Sequence, residues 1–133
     1  MGGTITASLG KWSSRTFDTG SDALGSFSWI KMCGKRATVI TIITCYRVSQ
    51  ESGNNIGENT AYMQQETLLR RAGHQAPRPR DHCIDALVTF VNASQLSGEE
   101  VILSIDANDD YSRSTNALSR LMAQTGLIDV IST

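Results

Sequence analysis

Proline is scarce in this chain, with only Pro77 and Pro79 among 133 residues. No proline-rich linker or recognition segment is therefore present. Cysteine is limited to Cys33, Cys45 and Cys83, an odd number with no Cys-x-x-Cys spacing. That rules against a disulfide framework and a zinc cluster, and all three read as reduced thiols. An excess of one charge is missing too: 12 Lys and Arg against 13 Asp and Glu leave a formal net charge of −1. A protein that holds nucleic acid by neutralising many phosphates is strongly basic, so any phosphate here must be met by local arginines and a bound cation. No apolar run approaches the ~18 residues of a membrane span, and no signal-peptide pattern is legible. An intracellular chain with no membrane partner is the expectation. Hydrophobic residues at 40% and charged residues at 19% are ordinary for a globular domain.

The apolar pattern gives mixed α and β. Thr4 to Leu9 alternates weakly and suggests a short strand, and Ser13 to Gly25 reads as loop. Ser26 to Met32 reads as a strand with Phe27 and Trp29 on one face. After a turn at Cys33-Gly34-Lys35, Ala37 to Val48 is the best strand candidate, rich in β-branched residues and forming a hairpin with the strand before it. Thr60 to Ala72 predicts a helix with Leu68, Leu69 and Ala72 on one face and Gly73 as its stop. His74 to Arg80 reads as a linker. Asp81 would cap a second helix carrying Ile84, Leu87, Val88 and Val91 at helical spacing. Val101 to Ile105 predicts a short buried strand beside Val39–Cys45, both central in a sheet. Thr115 to Thr125 predicts a third helix stopped by Gly126, and Leu127 to Ile131 another extended segment.

The sharpest chemical feature is Asp106-Ala107-Asn108 at the end of that buried strand. Strand side chains alternate, so Asp106 and Asn108 should leave one face together. A carboxylate beside an amide suits phosphoryl chemistry: the first takes a proton or a divalent ion, and the second orients water or donates to a phosphate oxygen. An Asp-x-Asn that simply turns the chain is the plainer alternative. A calcium loop starting at Asp106 is excluded, because Tyr111 and Ala117 stand where Gly and Glu are required. The second feature is Tyr46-Arg47 at the end of the strongest strand, where a phenol and a guanidinium could meet phosphate. The alternative there is a packed Tyr and a solvated Arg. Arg70, Arg71, Arg78 and Arg80 read as a solvated basic patch. His74 and His82 lie too far apart in sequence for a metal-ligand motif.

Several segments then fall into one order: Gly2-Gly3-Thr4, Asp22-Ala23-Leu24-Gly25 before Trp29, Ile43 through Val48, Thr60 through Gln65, Ile105 through Asp109, and Gly126 through Asp129. This ordered set resembles the endonuclease/exonuclease/phosphatase superfamily, and does so over most of the chain. The resemblance implies an α/β fold that is part of a two-sheet β-sandwich flanked by helices. It implies hydrolysis of phosphodiesters or phosphomonoesters with Mg²⁺ or Mn²⁺ as cofactor. Asp106, Asn108 and Tyr46 would be the catalytic residues, Asp106 also the metal ligand, and Arg47 a contact for the substrate phosphate. The partner would be nucleic acid or a small phosphorylated substrate, with no protein partner indicated.

The same resemblance implies groups this chain lacks. The family's Asp usually follows Gly, where Ile105 stands here. A metal-binding Glu is expected before Gly2-Gly3, and a Ser-Asp-His after the last segment. Residues 1–133 therefore read as a single partial domain whose isolated activity should be low. The alternative is a non-catalytic remnant or interaction protein that retains the fold.

Overall fold

The structure is a computed structural model that describes residues 3–49, 60–109 and 116–131. These residues form an α/β arrangement: one four-stranded mixed sheet with three helices. The strands are β1 (Thr16–Ser21), β2 (Phe27–Cys33), β3 (Val39–Tyr46) and β4 (Glu100–Asp106), and the helices are α1 (Ala61–Arg71), α2 (Pro79–Leu96) and α3 (Ala117–Thr125). Sheet order follows chain order. β1–β2 and β2–β3 are antiparallel, and β3–β4 are parallel.

The hairpin expected from Phe27, Trp29 and the isoleucine-rich run is present as β2 and β3, in a register that opposes Phe27 to Cys45 and Trp29 to Ile43. Parallel pairing of β3 with β4 then requires a crossover, which α1 and α2 supply. Alternation along the pleat sends Phe27, Trp29, Ile43, Cys45, Leu103 and Ile105 to one face. There they meet Cys83, Leu87 and Val91 of α2 and Leu121 of α3 in a single apolar cluster. Ile43, Ile84, Leu87 and Val91 are fully buried. Each contributes on the order of 1.5–3 kcal/mol by leaving water.

Several expectations need correction. Thr16–Ser21 lies inside the stretch read as loop, yet it is β1; Gly20 accommodates the Trp29 indole, and a Cβ there would fall 2.3 Å from Trp29. Thr4–Leu9 forms no strand, although Thr6 bonds Ser28 at 2.8 Å across the face opposite the helices. In α1 the buried side chains are Gln65 and Leu69, and Leu68 faces out. Helix α2 begins at Pro79, because proline's fixed φ and missing N–H suit the first helical position; the supposed linker ends earlier, and Asp81 lies in the first turn. Strand β4 borders β3 as expected but is an edge strand among the described residues, with Ile102 56% exposed. A short apolar run does not distinguish an edge strand with one covered face from a central one. Helix α3 starts at Ala117 with Asn116 as its cap and stops at Gly126, whose φ is +69°. Residues 127–131 contain no strand.

Candidate functional site

The parallel register aligns Tyr46 with Asp106 at the C-terminal ends of β3 and β4. Both follow the same alternation and leave the sheet on the face away from α2. The ladder continues for one more step, because the Arg47 N–H donates to the Asp106 carbonyl at 2.9 Å. Beyond Asp106 the chain turns. The Asp106 carboxylate accepts from the Asn108 N–H at 3.2 Å, and Asn108 adopts φ +46°, a left-handed conformation that Asn tolerates well. The turn that Asp-x-Asn can make and the exposed carboxylate proposed for chemistry therefore coexist in one segment.

Asn108 does not continue the strand alternation. Its side-chain N–H₂ donates to the Arg47 carbonyl at 2.7 Å, so the amide ties the two strand ends together. Asp106 is exposed, Ala107 is buried and Asn108 is exposed. With Ile105, Asp109 and Leu118 these residues line a cleft of about 260 Å³. Asp106, Asn108 and Tyr46 are thus gathered at one end of the sheet.

Arg47 is gathered there too, but its guanidinium points inward. The residue is 5% exposed. Nε donates to the Arg80 carbonyl at 3.1 Å, Nη1 donates to the Ala107 carbonyl at 3.3 Å, and Nη1 lies 3.4 Å from the Asp109 carboxylate. These contacts occupy the guanidinium with the chain's own oxygens, so in this arrangement Arg47 braces the loop after β4.

Two further residues belong to the site: Arg80, which sequence reasoning did not place there, and Asp109, which entered only as the end of the Ile105–Asp109 segment. Arg80, expected in a solvated patch, is drawn in by the first turn of α2: it donates to the Val48 and Asn108 carbonyls and lies 3.6 Å from the same Asp109 oxygen. Burial, and then the neighbouring Arg47 cation, lower its pKa, while Asp109 opposes the shift. Asp109 also accepts from the Ala117 N–H at the start of α3, 2.7 Å away. Its charge is favourable there, facing the positive end of the helix dipole. The missed signal was Pro79, which marks the first turn of a helix and puts Arg80 beside the C-terminal ends of β3 and β4.

Other parts of the ordered sequence set reach the same end. Asp22 accepts from the N–H groups of Leu24 and Phe27 in the β1–β2 turn, and Tyr46 N–H donates to Ser26. Gln65 of α1 donates to Ser26 Oγ at 3.1 Å. By contrast, His74 and His82 meet each other, ring centroids 5.5 Å apart, and do not line the cleft. No known protein family, curated protein or solved structure matches this chain.

Among the described residues a divalent cation would find one exposed carboxylate here, that of Asp106. Asp109 is committed to Arg47, Arg80 and the N-terminus of α3. Among the described residues no group of three or more His, Cys, Asp or Glu side chains could hold a metal. Mg²⁺ takes about six oxygens at near-octahedral angles. The described side chains do not fit a closed Mg²⁺ site.

Proposed function

We propose that this chain carries part of a phosphoesterase centre of the endonuclease/exonuclease/phosphatase type, in which Asp106 and Tyr46 face the phosphate ester. The observation that carries the reading is the pairing of Tyr46 with Asp106 at adjacent parallel strand ends, beside a polar cleft. The convergence of the Asp22–Gly25 turn, Gln65 and the Asp106–Asp109 loop on this end supports it. In this reading Asp106 accepts the proton of the attacking water, and would be the described carboxylate that a cation could touch, while the Tyr46 hydroxyl donates to a phosphate oxygen. Asn108 and Arg47 are positioning residues, since their side chains hold the loop. The substrate is a nucleic acid or a small phosphate ester.

The fold belongs to the same proposal. The sheet face away from α2 and α3 carries the exposed Ile102 and the partly buried Ile40 and Ile42. In a two-sheet sandwich that face would receive the second sheet, about 10 Å away.

The cation-binding role is tested with Mn²⁺ as a paramagnetic probe in an NMR spectrum of the labelled chain. Selective broadening of Tyr46, Asp106 and Asn108, lost in Asp106→Ala, is the expected result. Uniform broadening, or broadening indifferent to Asp106→Ala, would remove Asp106 as the cation's contact. The alternative is an interaction protein that keeps the arrangement without chemistry. It is favoured by the commitment of both arginines and Asp109 to internal contacts, and predicts that second result.

A further inference from the structure

Two thiols, Cys45 near the end of β3 and Cys83 in the second turn of α2, lie with their sulfurs 3.7 Å apart. They are 2% and 1% exposed, inside the apolar cluster with Phe27, Ile43 and Leu87. Cysteine often fills a core as a small apolar residue, and such thiols are inert. This pair differs in two respects: the sulfurs touch across the sheet–helix interface, and each cysteine lies within three residues of an arginine of the Arg47–Arg80–Asp109 brace. Cys45 precedes Arg47 by two residues. Cys83 follows Arg80 by three, about one helical turn.

We propose that Cys45 and Cys83 form a redox-responsive dithiol that closes to a disulfide under a peroxide and thereby shifts the Asp106–Asp109 loop. The inference does not depend on the phosphoesterase reading. In the first step the Cys83 sulfur attacks one peroxide oxygen, the O–O bond breaks, and water leaves after proton transfer, giving a sulfenic acid. The Cys45 sulfur then attacks that sulfur, the S–O bond breaks, and a second water leaves. Two thiols and one hydrogen peroxide become one disulfide and two waters. The two sulfurs can exchange these roles, since either thiol can donate the hydrogen bond that joins them.

Closure shortens the sulfur separation from 3.7 Å to about 2.05 Å. The interior is close-packed, so closure that the cysteine torsions do not absorb draws the first turns of α2 against the end of β3. Arg80 rides on α2 and bonds Val48 and Asn108, and Arg47 bonds the Arg80 carbonyl. The displacement is therefore transmitted to the loop by direct hydrogen bonds.

The test uses the full chain with Cys33→Ser, which removes the exposed thiol that would link two molecules. After hydrogen peroxide and alkylation, mass spectrometry should show the loss of two hydrogens and of both alkylatable thiols. The tryptic peptides 37–47 and 81–113 should be joined. Hydrogen exchange at Ile105–Asp109 should change several-fold in the oxidised chain and return on reduction. Cys45→Ser, or Cys83→Ala if the first variant folds poorly, should abolish both effects. Oxidation of Cys33 in the unsubstituted chain reports that the oxidant is effective. Under those conditions, full alkylation of Cys45 and Cys83 would overturn the proposal. So would a disulfide that leaves exchange at Ile105–Asp109 unchanged.

Discussion

Arg47 is buried at the end of β3 with its guanidinium 3.4 Å from the Asp109 carboxylate, so a strand that ends in charge is closed by the loop that follows its neighbour. The pair is nearly enclosed, with side chains 7% and 17% exposed. Removing Asp109 would leave Arg47 and Arg80 facing each other without the counter-charge that both lie against. Loss of one partner of a buried pair costs about 3–5 kcal/mol, and the residual exposure of Asp109 puts the expectation near the lower end. Asp109→Asn should therefore lower stability by about 3 kcal/mol in urea unfolding. Replacing both residues, Arg47→Met with Asp109→Asn, should cost less than the sum of the two single changes. Additive costs would mean that the pair is not coupled.

Acid should release a second tie at the opposite end of the sheet. Glu99 bonds Lys31 at 2.7 Å and also accepts from Thr41. Partial burial alone would raise its pKa, but the Lys31 and Thr41 hydrogen bonds and the Lys31 charge outweigh it, and the net shift is below the ordinary 4.5. A carboxylate depressed in the folded state contributes stability above its unfolded pKa and loses it as pH falls through the folded one. Stability should thus decline below about pH 4.5, and Glu99→Gln should flatten that part of the profile. Denaturant midpoints between pH 3 and 6 make the comparison. An unchanged slope in Glu99→Gln would assign the decline to other carboxylates.

Gly20 should resist substitution for a steric reason. Its missing side chain is where the Trp29 indole lies, with a would-be Cβ 2.3 Å away. The indole also packs on Phe90 at 4.5 Å between centroids, which limits its retreat. Gly20→Ala should cost about 1–3 kcal/mol, the usual range for overpacking, and should shift the tryptophan fluorescence. Gly25→Ala, where a Cβ meets open space but φ is +68°, should cost about 1–2 kcal/mol through backbone strain without the spectral change. If both variants leave fluorescence untouched, the indole is not seated on Gly20.

The strong apolar strands and the helix stops were legible because period and punctuation agree there: Phe27 and Trp29 with the Ile run, Ile84 to Val91, and Gly126. Strand β1 was not legible, since Thr16–Ser21 is mostly polar and, among the described residues, pairs only with β2. Its placement comes from Trp29 covering Gly20, a contact between separate strands that no local pattern encodes. Asp106, Tyr46 and Asn108 were legible as neighbours at one end of the sheet because strand ends carry them. The direction of Arg47 was not, because adjacent strand residues leave opposite faces only while the strand remains regular. Arg47 lies one residue beyond β3. Its path is set by carbonyls of α2 and of the β4 loop, which come together only in the folded chain.

Hydrolysis by this 133-residue chain alone should be close to background. Among the described residues Asp106 is the one exposed carboxylate of the cleft, and no histidine lines it to polarise a phosphate oxygen. Transition-state charge without such a donor forfeits about 3–4 kcal/mol, a hundred- to a thousandfold in rate. A cation held by a single carboxylate keeps most of its waters and is poorly fixed for in-line displacement. The two deficits act on the same step, so their effects compound. The measurement is turnover of single-stranded DNA, RNA and a chromogenic phosphate diester in Mg²⁺ and in Mn²⁺, with Asp106→Ala alongside. Indistinguishable rates for the two proteins are expected. Strong turnover abolished by Asp106→Ala would show that oxygens outside the described residues complete the site, and Asp110, next in the chain after Asp109, is the first to replace.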